Sequence, residues 1–226
     1  MNIGVLGTGV VGQTIAARLH GLGHSVFVGT RDPAATLARH GRDMMGGQPI
    51  KLWLREHPGI AFGTLEEAAA HGEIVINATS GSGSISALET AGERNLAGKV
   101  LIDIANPLDF SKGMPPSLTI CNTDSLGERI QQRFPNAKVV KTLNTTNASV
   151  MVDPGRVGGG DHSIFVSGND AEAKKTVSRL LRSFGWKDII DLGDITTARG
   201  TEMMLPIWIR LWGALGSAGF NFKIVR

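Results

Sequence analysis

The first residues with the types and spacing for chemistry stand seven positions into the chain. Gly7-Thr8-Gly9-Val10-Val11-Gly12 is a G-x-G-x-x-G run, and the chemistry it suits is the binding of a pyrophosphate. The first glycine permits a tight turn, the second lets a phosphate reach the backbone, and the third lets a helix pack close to a strand. Free N–H groups and the dipole at the start of that helix favour an anion. The setting gives the pattern weight: the apolar run Asn2 to Leu6 precedes it, and apolar residues at helical spacing (Val11, Ile15, Leu19, Leu22) follow it.

A second group decides which dinucleotide would fit. The run Ser25 to Gly29 leads into Thr30-Arg31. An acidic residue at that point would bond the ribose hydroxyls of NAD. A hydroxyl and a guanidinium instead suit the dianionic 2′-phosphate of NADP(H), because arginine offers charge-assisted and bidentate bonds. Asp32 comes next, but its place before Pro33 makes it the N-cap of a helix.

Two further polar groups follow apolar runs, at the strand ends where ligands bind in open α/β sheets. Asn106-Pro107 comes after Val100 to Ile104, and either shapes a nicotinamide pocket or simply starts a turn. Ala137 to Val140 is followed by Lys141, Thr142, Asn144, Thr145 and Asn147. Lys141 reads equally as an attractor for an anionic acceptor and as a surface lysine. The neutral side chains after it suit a carboxamide or the edge of a flavin.

These groups need a scaffold, and the elements between them alternate. Strand signals (Asn2 to Leu6, Ser25 to Gly29, Ile74 to Ala78, Val100 to Ile104, Ala137 to Val140) are separated by helical stretches. One of those, Thr64 to Ala70, opens with the capping-box spacing of Thr64 and Glu67. The economical fold is α/β, a Rossmann-type parallel sheet wrapped by helices. We expect residues 1–143 to form this dinucleotide-binding domain. After Leu143 comes a polar, glycine-rich stretch. A strand (His162 to Val166), a helix (Asp170 to Phe184), a strand (Asp188 to Ile190) and a long apolar helix from Thr197 to about Leu215 follow. Residues 144–226 thus read as a smaller C-terminal α/β lobe ending in an apolar helix.

Composition narrows the class. A net charge of +3 across 226 residues gives no footprint for nucleic acid. One cysteine, Cys121, excludes an internal disulfide, fits a reducing compartment and, lacking an activating motif, reads as a packed residue. With no signal peptide at the N-terminus, the expectation is a cytoplasmic protein. The apolar stretch Met203 to Phe222 is interrupted by Pro206, Arg210 and Asn221, which argues against a membrane span. Six histidines show no metal-ligand spacing, so no metal is expected. Ser80 to Ser84 lacks the hydrolase pattern and reads as a loop at the ligand edge. Trp208 and Trp212, four apart on one helix face, read as packing or dimer contacts.

The chain resembles a known family along essentially its whole length. The resemblance rests on Gly7 to Gly12, Gly29-Thr30-Arg31, Asn77-Ala78-Thr79, Asp103-Ile104-Ala105-Asn106-Pro107 and Val140-Lys141-Thr142-Leu143-Asn144-Thr145. It continues through Val166-Ser167-Gly168-Asn169-Asp170, Asp191-Leu192-Gly193-Asp194 and Ala198-Arg199. These segments resemble the F420-dependent NADP reductases and, more weakly, the cytosolic domain of the STEAP metalloreductases. The resemblance implies hydride exchange between NADPH and a flavin or deazaflavin acceptor (F420, FMN or FAD), and it implies a homodimer. It assigns Thr8 to Val11 and Thr30-Arg31 to the diphosphate and the 2′-phosphate. Thr79 and Ser80 go beside the adenosine half, and Thr146 and Ala148 to the nicotinamide. Archaeal members have one more residue in the phosphate loop, histidine where Asn144 stands and proline where Asn147 stands.

No acid–base pair stands out, and hydride transfer to a flavin-like ring hardly needs one, so no catalytic side chain is expected. Two other readings stay open. A reductase of a small carbonyl or imine substrate needs a proton donor, for which Lys141 is the candidate. A non-catalytic NADPH sensor would use the same fold to meet partners. The apolar helix around Met203 to Leu215 predicts a two-fold homodimer.

Overall fold

The computed structural model describes residues 1–42 and 46–226. From the N-terminus, β1 (Asn2–Leu6), α1 (Val10–Gly21) and β2 (Ser25–Thr30) form the first unit, and α2 (Pro33–Leu37), α3 (Ile50–Glu56) and β3 (Ala61–Thr64) the second. Then come α4 (Leu65–His71), β4 (Ile74–Asn77), α5 (Ser84–Ala91), α6 (Glu93–Leu96) and β5 (Val100–Asp103). The helix starts have sequence causes. The Asp32 side chain accepts from the Ala35 N–H at 2.9 Å, so it caps α2 as expected. Thr64 and Glu67 close a reciprocal capping box on α4.

A short antiparallel hairpin, β6 (Leu108–Asp109) and β7 (Ser117–Leu118), follows β5. The chain continues through α7 (Leu126–Arg133), β8 (Lys138–Thr142), α8 (Ala148–Val152), β9 (Ser163–Ser167), α9 (Ala171–Phe184) and β10 (Asp188–Gly193). It closes with α10 (Ala198–Met203) and α11 (Leu205–Leu215).

Eight of these strands make one sheet, in the order β10-β9-β8-β5-β4-β1-β2-β3. From β3 to β8 every neighbour is parallel. The strand order reverses direction between β1 and β4, which is the switch point of a doubly wound fold. Residues after 143 continue this sheet: β9 adds antiparallel to β8, and β10 adds parallel to β9.

Alternation along the strands feeds two cores. Ile3, Val5, Ile76, Ile102 and Val140 point to the face that packs with Ile15 and Leu19 of α1 and with Val177 and Leu181 of α9. Leu6, Val75, Leu101 and Val139 point to the opposite face, against Ala68 of α4, Leu88 of α5 and Ile130 of α7.

The C-terminal region departs from expectation in two ways. The helix expected from Thr197 to Leu215 is broken at Met204. Pro206 stands there without the N–H that would continue the ladder. The helix is also not the end of the chain: Ser163 N–H donates to the Phe222 carbonyl at 2.9 Å, tying the tail to β9. Trp208 is buried within its own chain, stacked on Phe220 at 5.2 Å, with Leu205 and Ile209 beside it. The outward face of α10 and α11 carries Met203, Ile207 and Leu215, all exposed. Cys121, expected to be packed, is exposed as well. Among the described residues no helix is long and apolar enough to cross a membrane.

Candidate functional site

The switch point places the phosphate loop between the ends of β1 and β4. Gly7 has φ +120°, and a Cβ there would lie 2.5 Å from the Ala78 carbonyl oxygen. Gly12 is tighter still, since its Cβ would meet the Gly7 carbonyl oxygen at 2.2 Å. Only glycine allows the loop to fold this closely onto α1 and β4. Gly9 is the N-cap of α1 and Val10 its first residue, so Thr8 to Val11 surround the helix N-terminus, as a bound diphosphate requires. The buried Gln13 amide donates to the carbonyls of Thr8 at 2.9 Å and Gln48 at 2.8 Å, bracing the loop from behind.

Thr30 and Arg31 end β2 on the same edge of the sheet. The Thr30 hydroxyl bonds that of Thr36 at 3.0 Å. Arg31 is exposed and makes no hydrogen bond or ion pair among the described residues. Its guanidinium is therefore available to an anion, while the neighbouring Asp32 carboxylate is engaged in capping.

Beyond the switch point, register lines up a row of polar side chains. Asn77 on β4 pairs with Asp103 on β5, and Asp103 pairs with Lys141 on β8. All three side chains face the α5/α7 side, one step beyond Val75, Leu101 and Val139. The Asn77 amide donates to Asp103 Oδ1 at 2.8 Å and to the Ser84 hydroxyl at 3.0 Å. Its own oxygen accepts from the Thr79 hydroxyl at 2.6 Å. Thr79 thus reaches the cleft with its proton already committed, whereas Ser80, next along, is exposed.

Lys141 corrects the sequence reading. It is neither a surface lysine nor open to an acceptor, because its side chain has 0% exposure. Its ammonium bonds Asp103 at 2.7 Å, Glu202 at 2.8 Å and the Ala105 carbonyl. Burial alone would push this amine down. The Asp103 and Glu202 carboxylates outweigh that effect and hold it above the ordinary lysine value. A group so buried and so firmly protonated is unsuited to donating a proton to a substrate. Glu202 had no signal in the sequence, because it sits on α10, far along the chain from everything it touches. It also accepts from the first N–H groups of α7, Leu126 at 2.8 Å and Gly127 at 3.0 Å.

Asn106 and Asn144 meet across the ends of β5 and β8. Asn106 Nδ2 donates to the Asn144 carbonyl at 2.9 Å, and Asn144 Nδ2 donates to Asn106 Oδ1 at 3.0 Å. Pro107 is buried, and its carbonyl takes the Thr119 N–H at 2.8 Å, which fastens the hairpin below. Leu143 adopts φ +61°, a left-handed conformation that costs a branched side chain about 1–3 kcal/mol. That turn directs residues 144–148 over the edge of the sheet. Ala148 begins α8, capped by the Asn147 side chain. Thr146 Oγ1 is buried with no hydrogen-bond partner among the described residues. A buried hydroxyl left unpaired costs about 1–3 kcal/mol, which a ligand bond would recover.

An open cleft of about 500 Å³ runs from the phosphate loop along α1, lined by Val10, Gln13, Thr14, Arg18, Trp53 and Val152 among others. Gln48, Trp53 and Val152 escaped the sequence analysis because each is remote in sequence from the loop it faces.

A glycine cradle on a helix N-terminus, and a guanidinium after β2 and a hydroxyl at the far end of the same edge that have no partner among the described residues, fit a dinucleotide. Fold and site define a doubly wound, dinucleotide-binding protein.

Comparison with known proteins narrows this. The family model described as "NADP oxidoreductase coenzyme F420-dependent" matches residues 2–107. A solved structure from Arthrobacter sp. FB24, assigned to the F420-dependent NADP reductases, is 65% identical with a TM-score of 0.96, each chain covered over 100%. The F420-dependent NADP reductase of Methanocaldococcus jannaschii is 28% identical, covering 100% of this chain and 99% of that one. Rat Metalloreductase STEAP3 is 29% identical over 91% of this chain, which spans only 37% of that protein's length. The chain belongs to the F420-dependent NADP oxidoreductase family, and it is an NADP-dependent enzyme.

Proposed function

We propose that this enzyme transfers hydride between NADPH and a flavin-like acceptor, with the deazaflavin F420 as the first choice. The observation that carries this reading is the state of Lys141. The residue best placed by sequence to protonate a carbonyl or imine product is sealed in a buried ion cluster. Transfer to a flavin-like ring asks only for alignment and exclusion of water. The names of the related reductases support the same acceptor.

In this reading Gly7 to Gly12 hold the diphosphate, with Thr8 to Val11 around it. Thr30 and Arg31 hold the 2′-phosphate. Thr79 accepts from a ribose hydroxyl, with Ser80 beside it. Asn106 and Pro107 form one wall of the nicotinamide pocket, and Asn144, Thr146 and Ala148 form the other. The Thr146 hydroxyl finds there the partner it lacks among the described residues. When bound, the nicotinamide supplies the hydride, and the protein fixes the angle and distance of the two rings. The cleft along α1, faced by Gln48, Trp53 and Val152, offers room for the acceptor, at a volume usual for small-molecule sites.

We assign residues 1–143 to dinucleotide binding and residues 144–226 to the acceptor pocket and to assembly, in the cytoplasm. Met203, Ile207 and Leu215 form an apolar face on α10 and α11 that a second copy of the chain would cover in a two-fold dimer.

The test is NADPH oxidation by the purified protein with F420, FMN, FAD and ferric chelates in turn. F420 should give the highest kcat/KM. Tight NADPH binding with no oxidation by any acceptor would favour a sensor, and turnover of an imine or ketone instead would overturn the acceptor assignment.

A further inference from the structure

We propose that Lys141 is a positioning residue for hydride transfer: it ties together the two strand ends that carry Asn106 and Asn144, and so sets where the nicotinamide half of the cofactor lies. The inference rests on reading this edge of the sheet as the NADP site.

The geometry is that of a clamp. Lys141 on β8 and Asp103 on β5 are register partners. The ammonium has three N–H groups, and each has its acceptor: Asp103 Oδ2, Glu202 Oε1 and the Ala105 carbonyl. The Ala105 contact reaches past the end of β5 into the turn, and Asp103 Oδ1 takes the Ala105 N–H at 3.2 Å. The peptide groups on both sides of Ala105 are thereby held. The next residue is Asn106, whose amide is locked reciprocally to Asn144. Two residues beyond Asn144 stands the unpartnered Thr146 hydroxyl. Hydrogen bonds joined by the Ala105–Asn106 backbone thus run from a buried lysine to the loop proposed to hold the nicotinamide.

The cluster is also costly to build, which argues that it does more than hold the fold. Two buried carboxylates face one ammonium, and the N-terminus of α7 supplies the N–H groups that meet the second charge. Apolar residues of similar volume would stabilise such a position as well or better. What they could not do is hold the Ala105 carbonyl and the Asn106 amide at defined points beyond the end of β5.

A simple Lys141→Met change would strand Asp103 without its counter-charge, so the informative variant is Asp103→Asn with Lys141→Met. It removes one charge of each sign, and the amide oxygen introduced at position 103 can still accept from Asn77 and Ala105. Asn106→Ala breaks the next link without touching the ion cluster. Both are compared with wild type for binding of 2′,5′-ADP, which occupies only the adenosine half, for binding of NADPH, and for kcat and KM with F420. The expected result is 2′,5′-ADP affinity within about twofold of wild type and KM for NADPH within about threefold, with kcat down about tenfold or more, the scale of a misplaced reacting group. If the double variant does not fold, the same split in Asn106→Ala carries the proposal. A folded double variant with wild-type kcat would overturn it, and so would loss of 2′,5′-ADP affinity in parallel with kcat. Wild-type protein that binds neither 2′,5′-ADP nor NADPH would overturn the site reading itself, and the proposal with it.

Discussion

Replacing Gly12 with alanine tests the phosphate loop with the least chemistry. A Cβ on Gly12 would lie 2.2 Å from the Gly7 carbonyl oxygen and 2.9 Å from the Gly7 carbonyl carbon. Neither neighbour is a side chain that can swing away. Restoring ordinary contact requires the loop and α1 to part by roughly 1 Å. For stability, forcing one methyl into a packed site costs about 1–3 kcal/mol, or roughly 2–12 °C in Tm for a chain of this size. The effect on the cofactor is larger in kind. Moving the loop by ~1 Å takes its N–H groups out of range of the diphosphate, and losing one charge-assisted bond weakens binding by about 1.5–3 kcal/mol. The dissociation constant for NADPH should therefore rise about ten- to hundredfold. Calorimetric titration with NADPH and with 2′,5′-ADP, alongside thermal unfolding, measures both. NADPH, which carries the whole diphosphate, should lose more than 2′,5′-ADP, which keeps only the adenosine-side phosphate of that pair. Wild-type NADPH affinity in a folded Gly12→Ala protein would refute the placement of the diphosphate.

Arg31→Ala should cost about 1.5–3 kcal/mol of NADPH affinity and nothing measurable in NADH affinity or Tm, because the side chain is exposed and makes no bond among the described residues; equal losses for both cofactors in a titration would reject the 2′-phosphate contact. Thr146→Val should leave the free protein as stable as wild type or more so, since it removes an unpaired buried hydroxyl, while NADPH binding weakens by about 0.5–1.5 kcal/mol; unfolding curves with and without NADPH read both effects. Ile207→Glu, on the exposed apolar face of α11, should yield a monomer by light scattering with NADPH binding retained; a wild-type protein already monomeric at roughly tens of micromolar would dismiss the dimer. Stability should be flat through neutral pH and fall at both ends. The Asp170 and Asp188 pKa values are lowered, first by the Ala173 N–H and the Ser163 hydroxyl respectively, so their contributions are present above the ordinary carboxylate range and lost as pH falls. That of Lys141 is raised, so its contribution holds below the ordinary lysine range and is lost only as pH climbs above it. Denaturant midpoints measured from about pH 3 to about pH 11 should show this, and a loss between about pH 7 and about pH 9 would contradict the protonated state of Lys141.

Local rules were enough to read much of this protein from its residues alone. The phosphate loop, the Asp32 cap, the capping box on Thr64 and the run of parallel strands each depend on a few neighbouring residues. Side-chain period, turn chemistry and capping act over that range. Because strand ends can be read from turn and pattern signals, Thr30, Asn106 and Asn144 could be placed at one edge of the sheet without coordinates. What the sequence could not express was pairing across the fold. Lys141 read equally as an attractor for an acceptor and as a surface residue until register set it beside Asp103 and until α10, much later in the chain, delivered Glu202 to it. The direction of β9, the burial of Trp208 under Phe220 and the exposure of Ile207 on the same helix were likewise decided by packing. A charge in water and a charge in a core are the same letter in a sequence. Only the tertiary structure determines how much solvent surrounds it and which opposite charges take the place of water.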